Sequence, residues 1–137
     1  MDRVMTVSSL AGRKVVSTAA KWEPMVGYSR AVRAGNWIAV TGTIGLRPDG
    51  TCPPMAEEQM RQALAIIIAS VEALGGYRTE IMRTRMFVTD IGLLPEIGRV
   101  HAEILGDIRP ATTMVQVAAL ADPVAVLEVE ADAFVTH

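Results

Sequence analysis

One cysteine, Cys52, and two histidines stand in 137 residues. A lone thiol forms no intrachain disulfide, and one Cys with two His falls short of a zinc centre of ordinary spacing. No metal site is therefore expected, and the expectation for a cofactor is likewise none. Basic runs are missing as well. Thirteen Lys and Arg stand against 15 Asp and Glu, a formal net charge of −2. Nucleic-acid binders neutralise phosphates with a basic stripe, so a nucleic-acid partner is not expected. No apolar run approaches the ~20 residues that span a bilayer. The opening MDRVMTVSSL carries an acid at its second position and no long apolar stretch, unlike a secretory signal. The expectation is a cytoplasmic protein without a membrane partner. Repeats, low-complexity tracts and linkers are absent too, and the length fits one domain over 1–137.

Half of the residues are apolar and a fifth are charged, slightly richer in apolar residues than an average domain. The surplus fits a well-filled core or surface buried between subunits, and composition does not choose. MTVSSL and KVVSTAA read as short strands. Runs rich in β-formers flank Ala34-Gly35-Asn36, where Gly and Asn accept the left-handed backbone of a hairpin turn. Past the Pro53-Pro54 stop, Met60, Leu64, Ile67, Val71 and Leu74 recur at helical steps, with Glu57 and Glu58 in the first turn and Gly75-Gly76 at the end. Glu80–Asp90 alternates as a strand. A shorter helix follows Pro95 and ends at Gly106. Thr112–Leu120 and Val124–Val135 read as the last two strands. The order β-β, α, β, α, β-β predicts an α+β fold, one mixed sheet with both helices on a single face.

Period-two parity sorts the last strand. Leu127, Val129, Ala131 and Ala133 should face the helices, and Glu128, Glu130 and Asp132 the open face of the sheet. A solvated face explains such acids as well as a site does. Arg83 and Arg85 are placed to pair with Glu128 or Glu130 across the sheet. In RPATTMVQV, Thr113, Val115 and Val117 form the more apolar set and are assigned to the helix side. Thr112, Met114 and Gln116 then share the open face with the acids. That mixture is too polar for a core and suggests a subunit interface with a polar pocket. Arg109 is read as a surface or turn residue and His101 as a helix-surface residue.

The ordered pieces GYSRAV, VTGTIG, EEQMRQAL, MFVTDI, RPATTMVQVAAL and LEVEADA resemble the Rid family of reactive intermediate deaminases. That family is also called YjgF-like and labelled L-PSP endoribonuclease-like. The resemblance runs from about Gly27 to Ala133. It implies a chorismate-mutase-like fold and a homotrimer whose open sheet faces pack around an axis, with small-molecule clefts between subunits. Deaminase-active members hold a 2-imino acid there. By the resemblance, Tyr28 matches the pocket tyrosine, Gly42 the backbone contact with Thr43 beside it, Glu128 the catalytic acid that handles water, and Met114 the position two after an arginine. That arginine falls on Thr112.

The exchange matters because a guanidinium grips a carboxylate bidentately, whereas a threonine offers one neutral hydroxyl. Hydrogen bonds to charged groups contribute about 1.5–3 kcal/mol, one to two orders of magnitude in binding. Arg30 is the better-placed stand-in and Arg109 the poorer. Three functions follow. The first is metal-free hydrolysis of an imine or enamine on a substrate not held by an arginine at position 112. The second is a trimeric small-molecule-binding or regulatory protein without catalysis. The third, a ribonuclease or translation inhibitor, lacks the acid–base pairs and basic groove it needs and ranks last.

Overall fold

The computed structural model describes residues 5–137; the first four residues of the stretch compared above with a signal lie outside them. Seven strands form one sheet in the order β1-β2-β3-β4-β7-β5-β6. They are β1 (Thr6–Leu10), β2 (Arg13–Ser17), β3 (Ala31–Ala34), β4 (Trp37–Thr43), β5 (Ile81–Val88), β6 (Ala111–Gln116) and β7 (Leu127–Phe134). Only β5 and β6 pair in parallel; every other pair is antiparallel. Helices α2 (Ala56–Ala73) and α3 (Leu94–Leu105) pack on one face. The expected α+β architecture is thus present.

Local chemistry explains the elements. Ala34 pairs with Trp37 across Gly35-Asn36, and Gly35 takes φ +59°, the left-handed turn that the hairpin required. On α2, Met60, Ala63, Leu64, Ile67 and Val71 form a buried stripe at helical spacing. Gly75 ends this helix at φ +87°. Along β7 the alternation holds: Leu127, Val129, Ala131 and Ala133 are buried in the core beneath the helices, and the acids between them are half-buried on the other face.

Two features differ from expectation. A short helix, α1 (Trp22–Val26), stands where no periodic signal was visible. Glu23 holds it, accepting from Ser17 Oγ at 2.8 Å, Thr18 Oγ1 at 2.9 Å and the amides of Thr18 and Ala20 at 3.2 and 3.1 Å. Burial raises the pKa of that carboxyl, but the hydrogen bonds outweigh it and leave the pKa lowered.

The second difference is the parity of β6. Thr112 pairs with the fully buried Thr84, and Met114 with the buried Met86. Met114 packs on the core, and Gln116 accepts from the amide of Ile91 at 2.9 Å. Thr112, Met114 and Gln116 therefore lie on the helix face, and Thr113 and Val115 on the open face beside Arg85 and Phe87. Apolarity misassigned them because β6 is an edge strand, exposed on both faces within one chain. Its partner β5 sets the parity.

Candidate functional site

The open face of the sheet carries a cleft of about 820 Å³. Its floor is β4 and β7, where the register shifts between Val40 and Thr43. Such a bulge re-aims the chain locally. At its centre is Gly42. A β-carbon on that residue would stand 2.9 Å from Cδ of Glu128, so the glycine leaves the space that the carboxyl occupies. Burial raises the Glu128 pKa above its ordinary value; the nearby positive charge of Arg30 draws it back in part, and Glu130 adds to the rise. Glu130 itself lies 3.2 Å from Arg85, which also reaches Asp132 at 3.3 Å. The bland pairing foreseen for Arg85 therefore holds, with Asp132 as its second acid.

One wall is the segment from Thr18 to Trp22, fixed by Glu23, followed by Tyr28 and Arg30. Arg30 is 7% exposed. Its Nη1 donates to Gly42 O and to Thr43 Oγ1, both at 3.0 Å. Thr43 Oγ1 in turn donates to Thr41 O at 2.7 Å, so its hydroxyl is committed within the bulge. The guanidinium lies 5.8 Å from the Tyr28 ring centroid. Tyr28 and Arg30 precede β3 rather than lying on it, yet both line the cleft. Phe87, Ile44, Val117 and Leu120 give the opposite side an apolar surface, and Lys21 and Asp122 also line the opening.

Glu128, Tyr28, Gly42, Thr43 and Arg30 thus line one cleft. Thr112 and Met114 do not: they sit on the other face of the sheet from Glu128 of the same chain. The Thr112 hydroxyl donates to Pro110 O at 3.1 Å and lies 2.8 Å from Thr84 Oγ1. His101 joins that group, with Nε2 2.9 Å from Thr84 Oγ1. It is half-buried rather than a surface residue, and burial lowers its pKa. Arg109 is exposed, with φ +48°, and its amide donates to Leu105 O at 3.0 Å, away from the cleft. The sequence did not reveal the wall from Thr18 to Trp22; its one signal was the Ser-Thr pair six and five residues before Glu23. Among the described residues no cluster of His, Cys, Asp and Glu suits a metal. No described helix is long and apolar enough to cross a membrane.

A mixed sheet shielded by helices on one face, with a carboxyl against a glycine bulge on the other, defines the class as a small α+β protein with an open-face cleft. The profile of the family described as Endoribonuclease L-PSP matches residues 18–135, and the chain belongs to that family, the YjgF or Rid group. It is 30% identical over 131 residues to the uncharacterized protein SCO2049 of Streptomyces coelicolor, covering 93% of this chain and 96% of the relative. It is 30% identical to the 2-iminobutanoate/2-iminopropanoate deaminase of Rattus norvegicus, over 79% of this chain and 80% of that enzyme. Among solved structures, Rv2704 from Mycobacterium tuberculosis, of the YjgF/YER057c/UK114 family, superposes with a TM-score of 0.83 at 41% identity. That match covers 90% of this chain and 99% of the other.

Proposed function

We propose that the cleft hydrolyses a small imine or enamine, with Glu128 as the catalytic group and no metal. The observation that carries this is the carboxyl of Glu128, held in the open-face cleft against Gly42 with its pKa raised by burial. A carboxylate with a raised pKa is a better base than a solvated one, and the same group can return the proton. Water oxygen bonds to the imine carbon while the C=N π pair moves to nitrogen. Glu128 takes the water proton and delivers it to that nitrogen. Glu128 then moves the hydroxyl proton of the resulting carbinolamine to the amine nitrogen, and the C–N bond breaks as the C=O bond forms, releasing ammonia and leaving a carbonyl. Tyr28 and the backbone at Gly42 supply neutral hydrogen bonds to the ligand, and Thr43 supports the bulge. The relatives named as deaminases support the reaction class.

In this proposal the protein is a homotrimer and the cleft is completed by a neighbouring subunit. Exposed Val115, Trp37 and Phe134 on the open face of the sheet support it. A cytoplasmic site of action fits the single thiol, which that compartment keeps reduced. The second function, ligand binding without catalysis, draws on one observation. Thr112 stands where deaminase-active members carry an arginine, and within one chain it faces away from Glu128.

Hydrolysis of 2-iminopropanoate generated in solution separates the two. The expected result is turnover by the parent protein and a loss of about 100-fold in Glu128→Gln, in the range for removing a general acid–base. A parent no faster than the uncatalysed reaction would establish the binding function instead.

A further inference from the structure

Arg30 is the only cation among the described residues that are buried. Other internal charges are well met. Glu23 is ringed by the donors of Ser17, Thr18 and Ala20, and Glu80 by those of Tyr77, Thr136 and His137. Half-buried Arg33 spends Nε on Gly35 O at 2.8 Å and Nη1 on Leu74 O at 2.7 Å. Arg30 differs. Among the described residues no carboxylate forms an ion pair with it. Both of its hydrogen bonds leave from Nη1, so Nε and Nη2 have no partner among the described residues. The Tyr28 ring face at 5.8 Å offsets the charge only in part. A buried guanidinium with an open fork is costly unless an anion completes it.

The surroundings fit an anion from outside the chain. Arg30 lines the cleft, and its clamp on Gly42 and Thr43 fixes the guanidinium plane. Glu128, near enough to feel its charge, rests on Gly42 and forms no ion pair with Arg30. Gly42 therefore lies between a cation with spare donors and a carboxyl that no ion pair neutralises. We propose that the free edge of Arg30 is an anion subsite, taking a small planar monoanion, a carboxylate, on a ligand whose remainder reaches Glu128. A guanidinium fork matches a carboxylate bidentately, which orients as well as holds it. The subsite supplies in this chain the grip that Thr112 does not. The inference rests on the cleft being the ligand site, not on the hydrolysis proposed there.

Propanoate and propanamide, nearly equal in shape and different in charge, test it by NMR titration at constant ionic strength. Propanoate should bind at least tenfold more tightly and move the Arg30 Nε–H and Gly42 amide signals. Arg30→Lys keeps the charge and loses the fork, so its preference should weaken about tenfold. A folded Arg30→Gln should have no preference. Equal binding of the two probes to the parent would overturn the subsite, as would a preference that persists in Arg30→Gln. If Arg30→Gln loses its fold with the bulge, the parent and Arg30→Lys still decide. A charge preference without imine turnover removes the hydrolase proposal and leaves the subsite standing.

Discussion

Gly42 shows how one missing methyl shapes a site. Its vacant β-position is filled by the carboxyl of Glu128, the far end of a flexible side chain. Gly42→Ala should therefore move the carboxyl more than the backbone. The expected outcome is a melting temperature within a few degrees of the parent and imine hydrolysis lower by about 100-fold, the penalty of a 1 Å misplacement. Calorimetry and turnover on the same preparation check it. Glu128 carries a second consequence. Its folded pKa lies above the ordinary glutamate value of 4.5, because burial disfavours the charge more than Arg30 favours it. The folded state thus holds its proton longer than the unfolded chain. The contribution of this group is most favourable below about pH 4.5 and is lost as pH rises through the folded value. Glu128→Gln should then melt higher than the parent at pH 7, with the gap closing toward pH 4.5 in melting curves taken across that range. A gap that stays constant with pH would show that burial is not the cause.

Carboxylates also tie elements to one another. Glu80, in the turn before β5, accepts from the amide of Tyr77 at 2.8 Å and from the amide and hydroxyl of Thr136 at 2.6 and 2.8 Å. His137 adds a contact at 3.2 Å while stacking on Tyr77. The backbone donation from Thr136 is the largest cause of a pKa lowered to about 2 from 4.5. A depressed carboxyl stabilises above its unfolded value, and that stability is lost as pH falls from about 4.5 to about 2. Melting temperature should decline over that window in the parent and less steeply in Glu80→Gln; parallel slopes would count against the tie. Elements of this kind also mark what the sequence showed. Helix α2 and strand β7 were legible because a stripe of Met60, Leu64, Ile67 and Val71, or the alternation from Leu127 to Ala133, faces one core. Helix α1 was not, since five residues hold no period and Glu23 fixes them through contacts outside the helix. The site divided along the same line. Glu128 could be placed by strand parity, whereas Gly42, inside a register shift, came only from the family resemblance. Thr112 could not, because an edge strand open on both faces has no inside until its partner is known.

The whole molecule leaves that open face unfinished. Phe134 shares the face of Glu128 on β7, and Trp37 sits directly opposite it on β4; the two are 47% and 53% exposed. Across the sheet Val115, 42% exposed, stands beside Phe87 on the same face. Large apolar residues exposed on one sheet face are costly in water and typical of surface that a partner covers. The acids Glu130 and Asp132 between them are already met by Arg85, so a second copy could cover this face without stranding them. Closed symmetry is the usual way in which such a face is shared by identical chains. A trimer of a 14.7 kDa chain has a mass near 44 kDa, three times that value. Light scattering after size exclusion should report it for the parent. Val115→Asp should fold, because the residue is exposed within one chain, yet burying its charge at a contact without a partner costs several kcal/mol. The variant is expected near 15 kDa with an unchanged circular dichroism spectrum. A parent that elutes as a monomer, or a variant that stays trimeric, would remove β6 from the interface, and the open face would then have to bind its ligand alone.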